Sequence, residues 1–311
     1  MEHLKMSDTP SRLRSALKRI GLIAGLFPAL VWAGPITFNT ALPVAKGQVL
    51  IREQYIQRFR RDDTGVPNRN VHVDALGNVL AYGVNSKLTL FAVAPWFLGK
   101  TLEATTPMGR VHRSDAGIGD TKLFARYTLF QDNGLGTSFR IAPIAGIIAP
   151  TGSSDQADRF GRLPRPFQNG SGAWGGLGGV IATYQTLAWE VDADATYQST
   201  GSHDGYQAGA VTQADVSFQY RLWPRQLGRG VPAFFYGVLE TNLIHTGRDQ
   251  INRVNVANTG GTQWFISPGL QYVSVNYVLE TAVQIPIAQD MNGSALRDDY
   301  IFHIGFRTHF Q

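Results

Sequence analysis

The chain has 311 residues, 43% of them hydrophobic and only 16% charged, with 34 glycines, 11% aromatics and no cysteine. So few charges among so many apolar and aromatic residues exclude a disordered or coiled-coil chain. The missing cysteine excludes a disulfide scaffold, an iron–sulfur cluster and a Cys-ligated zinc site.

The first predicted element is a secretory leader, residues 1–33. Arg12, Arg14, Lys18 and Arg19 form its basic region, 20–32 its apolar region, and Val31-Trp32-Ala33 a cleavage site after Ala33. The apolar run is too short for a spanning helix of about 20 residues. The leader holds +3 of the formal +5 charge. The remainder is nearly neutral, so nucleic acid is not an expected partner. Residues 34–47 follow as a periplasmic N-terminal segment, either tucked into a barrel mouth or loose.

From residue 48 onward the chain alternates with period two. In one segment Trp189, Val191, Ala193, Ala195 and Tyr197 oppose Glu190, Asp192, Asp194 and Thr196. In the next, Ala214, Val216, Phe218, Tyr220 and Leu222 oppose Gln213, Asp215, Ser217, Gln219 and Arg221. A strand with one apolar and one strongly polar face meets two different solvents. Twelve such segments are expected: 48–60, 71–84, 87–98, 117–131, 137–149, 174–184, 187–199, 207–222, 231–244, 262–273, 276–287 and 299–310. Short connections alternate with long ones, including 99–116 and 151–173. This predicts an all-β fold: a transmembrane, antiparallel up-and-down β-barrel of about twelve strands, of the bacterial outer-membrane type, over 48–311. Trp96, Trp174 and Trp264 fall near the long-loop ends, Trp189 and Trp223 near the short-turn ends, as interfacial girdles require. The last strand has Tyr300, Phe302, Ile304, Phe306 and Phe310 on one face. It resembles the signal read by the outer-membrane assembly machinery, an expected partner along with outer-membrane lipid and lipopolysaccharide.

Four stretches go beyond periodicity: Ala41-Leu-Pro-Val-Ala-Lys-Gly-Gln48, Gly117-Ile-Gly-Asp-Thr-Lys-Leu-Phe-Ala-Arg-Tyr127, Ala149-Pro-Thr-Gly-Ser-Ser-Asp155 and Leu163-Pro-Arg-Pro-Phe-Gln-Asn-Gly-Ser-Gly172. With these the chain, from about Ala41 to its C-terminus, resembles the outer-membrane transporters named for the meta-cleavage pathway of phenol degradation. The resemblance implies a barrel that admits hydrophobic or aromatic compounds, and it supplies no catalytic residues.

The lumen-facing parity gives the transport candidates. Arg52, Arg58, Asp120, Lys122, Arg126 and Arg140 come from early strands. Glu190, Asp192, Asp194, Asp215, Glu240 and Glu280 come from later ones, and Arg307 returns beside the first strand on closure. Basic residues gather near strands one, four, five and twelve, acidic ones near seven to eleven. Two readings stay open: opposed walls that set a transverse field, or ion pairs that fill a closed interior. Pro143 and Pro268 fall inside predicted strands, where a missing N–H breaks the ladder; each marks a β-bulge or a sideways opening. In loop 151–173, Arg159, Phe160, Arg162, Arg165 and Phe167 are candidates for an external lid that contacts aromatic solutes by cation–π attraction.

Catalysis is not expected. His72, Ser217 and His303 are the residues an outer-membrane lipid hydrolase would use, but their parity points inward. There is no G-x-S-x-G elbow, no H-E-x-x-H and no nucleotide loop. The expectation is a monomeric passive channel for a small-molecule solute, without cofactor or metal. A structural or surface-interaction barrel is the alternative.

Overall fold

The computed structural model describes residues 33–61, 63–226 and 233–310. Apart from Ala33, the predicted leader lies outside the described residues. Twelve wall strands follow: β1 (Val49–Arg60), β2 (Asn70–Gly83), β3 (Leu88–Thr106), β4 in three pieces (Gly109–Ile118, Thr121–Tyr127, Phe130–Gly134), and β5 (Thr137–Ala149). After the longest connection come β6 (Gly175–Thr186), β7 (Trp189–Thr200), β8 (Val211–Trp223), β9 (Ala233–Thr246), β10 (Gly261–Ser274), β11 (Tyr277–Met291) and β12 (Tyr300–Phe310). Each pairs antiparallel with the next, and β12 pairs with β1 from Val49↔Phe310 to Phe59↔Tyr300. The sheet therefore closes and no wall strand is left as an edge. In lipid that closure gives the backbone N–H and C=O groups internal partners.

The faces are inverted relative to a water-soluble barrel. Gln54, Asp192, Asp215, Gln219, Glu240, Asn242, Gln271 and Glu280 are buried, while Leu80, Val216, Phe218, Leu239, Leu270 and Ile304 are exposed. The polar parity faces the lumen and the apolar parity faces the bilayer. Near the short-turn end, rings touch from strand to strand. One run is Phe130, Phe139, Tyr184, Trp189 and Phe218; another is Trp223, Phe235, Tyr272, Tyr277 and Phe306.

Two expectations are corrected. The predicted loop 99–116 is a β-hairpin instead. β3 runs to Thr106, Pro107 and Met108 make the turn, and β4 starts at Gly109. This ribbon extends past the lipid band, where both faces are wet or loop-covered, so its sequence lacks the apolar outward parity that marks the other strands. His72 does not point inward. On β2 the buried Val71, Ala75 and Ala81 face the lumen, while Leu80 and Tyr82 are exposed, so the even positions, His72 included, face outward.

The prolines sit at ladder interruptions. Pro143 pairs regularly with Val180 of β6. Toward β4 the register moves from Arg126↔Ile144 to Phe130↔Ile141, so β4 carries one extra residue there. Pro268 pairs with Leu239 of β9, and the β10–β11 ladder skips from Ile266↔Ile285 to Gly269↔Ala282.

Candidate functional site: the barrel lumen

Residues 34–48 form no regular element. They enter from the short-turn end, rise to the middle of β9 and return to the start of β1. A chain segment that makes no ladder must find partners for its backbone elsewhere, and here the lumen wall supplies them. The N–H groups of Ile36 and Thr37 donate to the two Glu240 carboxylate oxygens at 2.7 and 3.1 Å, and the Thr37 hydroxyl adds a bond of 2.6 Å. The Ala41 N–H donates to Thr183 Oγ1 at 2.8 Å, and the Val44 N–H to Thr89 Oγ1 at 3.2 Å. Arg126 donates to the carbonyls of Thr40, at 2.5 Å, and Leu42. Arg52 and Gln54 both donate to the Ile36 carbonyl. Gln271 holds the Gly34 carbonyl at 2.6 Å, and Arg307 the Pro35 carbonyl at 3.3 Å.

Apolar contacts complete the seating. Ala41 and Val44 pack with Ala81, Phe91, Phe124, Ala142, Ile144 and Ile181, the inner face of β2 to β6. Ile36 packs with Val238 and Ala282 on the opposite side. The lower lumen thus has an apolar wall on one side and a polar wall on the other, and the segment lies against both.

Most of the candidate charges fall into three groups. Arg52 and Arg307 close on Glu280, at 2.6 and 2.8 Å. Arg126 and Glu240 hold the segment as described. Glu190, Asp192, Asp194 and Asp215 remain as an acidic patch on β7 and β8. In it Asp192 accepts from Thr183 and from Gln219 at 2.9 Å, and Asp215 accepts from Asn242 at 2.9 Å. Glu190 accepts from Gln185 at 2.6 Å through one oxygen, and its other oxygen is buried without a hydrogen bond, as is one oxygen of Asp194. Arg140 donates to Ser138 at 2.5 Å, and Lys122 to Gln198 at 2.7 Å. Asp120 stands at the break in β4, where it accepts from Gly152 N, Ser171 N and Ser171 Oγ. It anchors the β5–β6 loop.

The upper lumen contains groups that strand parity did not single out. Asp298, in the β11–β12 connection, accepts from Arg58 at 2.5 Å, Arg60 at 2.8 Å and Gln263 at 2.7 Å. Burial alone would raise its pKa, but the two guanidiniums prevail and hold the carboxyl below the ordinary range. Lys100 is buried, donates to the Gln168 carbonyl at 2.7 Å, and lies over the Phe97 ring at 4.4 Å and the Phe167 ring at 5.3 Å. The signal for Lys100 was present in the sequence, but it fell in the stretch read as a loop.

The external-loop candidates divide. Arg162 and Arg165 pair with Asp204 of the β7–β8 connection at 3.1 and 2.9 Å. Arg159 lies over the Phe160 ring at 4.8 Å. Phe167 is buried with Val71, Leu102 and Leu163 under the loop. Of the hydrolase candidates, Ser217 and His303 face the lumen and bond to Gln219 and Gln284. Outward-facing His72 lies 3.3 Å from Asp74. The described residues form no group of three or more His, Asp or Glu side chains fit for a metal ion.

Residues 63–285 match the sequence model of the family described as "Putative MetA-pathway of phenol degradation". No curated protein matches the chain in sequence. Among solved structures, an outer membrane channel from Pseudomonas putida F1 aligns over 90% of this chain and 100% of its own. Its TM-score is 0.66 at 12% identity. The β-domain of the Bordetella autotransporter BrkA aligns over 86% of this chain and 100% of its own, with TM-score 0.45 at 14% identity. The translocator domain of the autotransporter NalP from Neisseria meningitidis covers 96% of each, with TM-score 0.44 at 12% identity.

Proposed function

We infer the function from one premise: the chain belongs to the family named for the MetA pathway of phenol degradation. On that premise we propose a channel of the bacterial outer membrane for passive uptake of small hydrophobic or aromatic compounds. Export is of the Sec type, with the leader removed near Ala33. The Pseudomonas putida outer membrane channel that shares this fold supports the same class.

The observation that carries the reading is how segment 34–48 is held. It has no ladder of its own, and the lumen wall grips it through single side chains. Each such bond contributes about 0.5–1.5 kcal/mol net, and more where one partner is charged. Such a seat can be left and regained without unfolding the wall. In this proposal the segment is the gate, Glu240 and Arg126 are its two latches, and the half-apolar, half-polar lumen suits a solute with a ring and one polar group.

A second reading rests on the same segment. If the seat is never left, the barrel is a closed scaffold that displays its loops. Planar-bilayer recording of the refolded protein separates the two. Discrete steps that phenol or benzoate blocks support the channel. A silent membrane, also silent for Glu240→Gln, supports the scaffold.

The two ladder interruptions offer a sideways route as well. Pro143→Ala and Pro268→Ala restore an N–H at the ladder interruptions. Uptake that falls in these variants supports a sideways exit for apolar solutes, and unchanged uptake removes it.

A further inference from the structure

Two clusters along the seam of β1 and β12 repeat one pattern, a carboxylate held by two guanidiniums. In the lower cluster Glu280 takes Arg52 and Arg307. In the upper one Asp298 takes Arg58 and Arg60. Two positive charges against one negative leave each cluster net positive. The carboxylate side chains are fully buried, whereas the arginine side chains stay partly exposed, 12% and 10% in the lower cluster, 33% and 30% in the upper. The lumen therefore meets the positive side of each. Along β1 the two clusters stand about 20 Å apart, from Arg52 to Arg58.

Their cover differs. The lower cluster lies against the re-entrant segment, because Arg52 also donates to the Ile36 carbonyl and Arg307 to that of Pro35. The upper cluster has no contact with it. There Arg58 commits Nε and Nη2 to the two Asp298 oxygens, at 2.6 and 2.5 Å. Arg60 commits Nε alone, at 2.8 Å, so its Nη1 and Nη2 have no hydrogen-bond partner among the described residues. A guanidinium carries its donors in a planar fork that fits a carboxylate, and one edge of this fork is open. An apolar patch stands next to it. Arg60 pairs in register with Val71, and Arg58 with Val73. Both valines belong to the cluster of Leu102, Leu163, Phe167 and Leu296, in which Val73 and Leu296 form the partly open side.

We propose that Arg60, positioned by Asp298 and Arg58, binds an organic carboxylate at the outer mouth of the lumen. The carboxylate takes the open Nη edge of Arg60, and the ring or alkyl body of the solute lies on Val73 and Leu296. Charge selects the class. Among the described residues Asp298 is the one acid that acts on either guanidinium, so an incoming anion neutralises the surplus charge and a cation is repelled by it. An uncharged phenol leaves that charge unmet. An inorganic anion meets it but leaves the apolar patch bare. The inference rests on the channel reading for its consequence, which is that the solute is collected above segment 34–48 before passage.

Binding is measured apart from conduction. The refolded protein in nanodiscs is titrated calorimetrically with benzoate, acetate, phenol and inorganic phosphate at one ionic strength. The proposal expects benzoate to bind more tightly than the other three. Arg60→Gln should weaken benzoate by about tenfold or more and leave phenol unchanged. Arg60→Lys, which keeps the charge and loses the fork, should fall between. Leu296→Ser should weaken benzoate severalfold and leave acetate unchanged. No benzoate binding, benzoate binding that Arg60→Gln leaves within about twofold, or acetate or phosphate bound as tightly as benzoate would overturn it. Planar-bilayer records of the same preparations keep this inference distinct from the channel reading. A silent membrane with Arg60-dependent benzoate binding removes the channel and keeps the site, and conductance without such binding does the reverse. Heat-modified gel mobility checks that every variant is a folded barrel.

Discussion

Glu240 shows how much a single residue can do in this lumen. Its two oxygens accept two consecutive backbone N–H groups and a hydroxyl from the re-entrant segment. A carboxylate accepts all three, whereas a carboxamide must turn its NH2 toward one of the donors. Glu240→Gln is therefore expected to loosen the seat by about 1–3 kcal/mol. Open probability in single-channel records should rise by about fivefold to about 150-fold, with the wall and its melting behaviour unchanged. Asp63 makes a prediction about pH. Bonds from the Arg69 side chain, helped by backbone N–H groups and opposed by burial, hold its carboxyl down to about 2, from 3.8. The folded pKa is depressed, so the stability this turn gains is present above about 4 and is lost as pH falls through about 2. Limited proteolysis of loop 61–69 should stay constant from neutral pH down to about 4 with an acid-stable protease, and accelerate below that. In Asp63→Asn the step should vanish.

At the level of elements, the strands were legible because two solvents impose two parities on them. Trp189 to Tyr197 and Tyr300 to Phe310 read directly as wall, and the sheet pairs them as wall. The β3–β4 ribbon was not legible, because beyond the lipid band nothing demands apolar residues on the outward side. His72 failed for a related reason: the outward face of β2 carries His72, Asp74 and Asn78, so polar parity no longer meant lumen. Segment 34–47 left both placements open because its partners Thr183, Glu240 and Gln271 lie far along the chain and no local pattern points to them. Loop elements follow ordinary surface rules. Arg162 and Arg165 tie the β5–β6 loop to the β7–β8 connection through the half-exposed Asp204. Exposed pairs are worth about 0–1 kcal/mol. Asp204→Ala should leave the melting temperature within a few degrees while exposing residues 150–174 to faster proteolysis, read by mass spectrometry.

For the whole molecule, closure and inversion make the barrel, and in the proposed function the re-entrant segment is its gate. The acidic patch of β7 and β8 lies beside that segment's path. Charge reversal at Asp192 and Asp194 together should change cation-to-anion selectivity once the lumen conducts. Unchanged reversal potentials would mean that the current does not pass this patch. The proposed gate itself is tested most directly by a reversible tether. Thr37 and Asn242 touch at 2.9 Å, side chain to side chain, and the chain has no other thiol to interfere. In Thr37→Cys with Asn242→Cys, planar-bilayer conductance is recorded oxidised and then with reductant on both sides. The account predicts silence when oxidised, and discrete steps that phenol or benzoate blocks after reduction. Conductance that is the same in both states would contradict it, because current would then flow while the segment is pinned in the lumen.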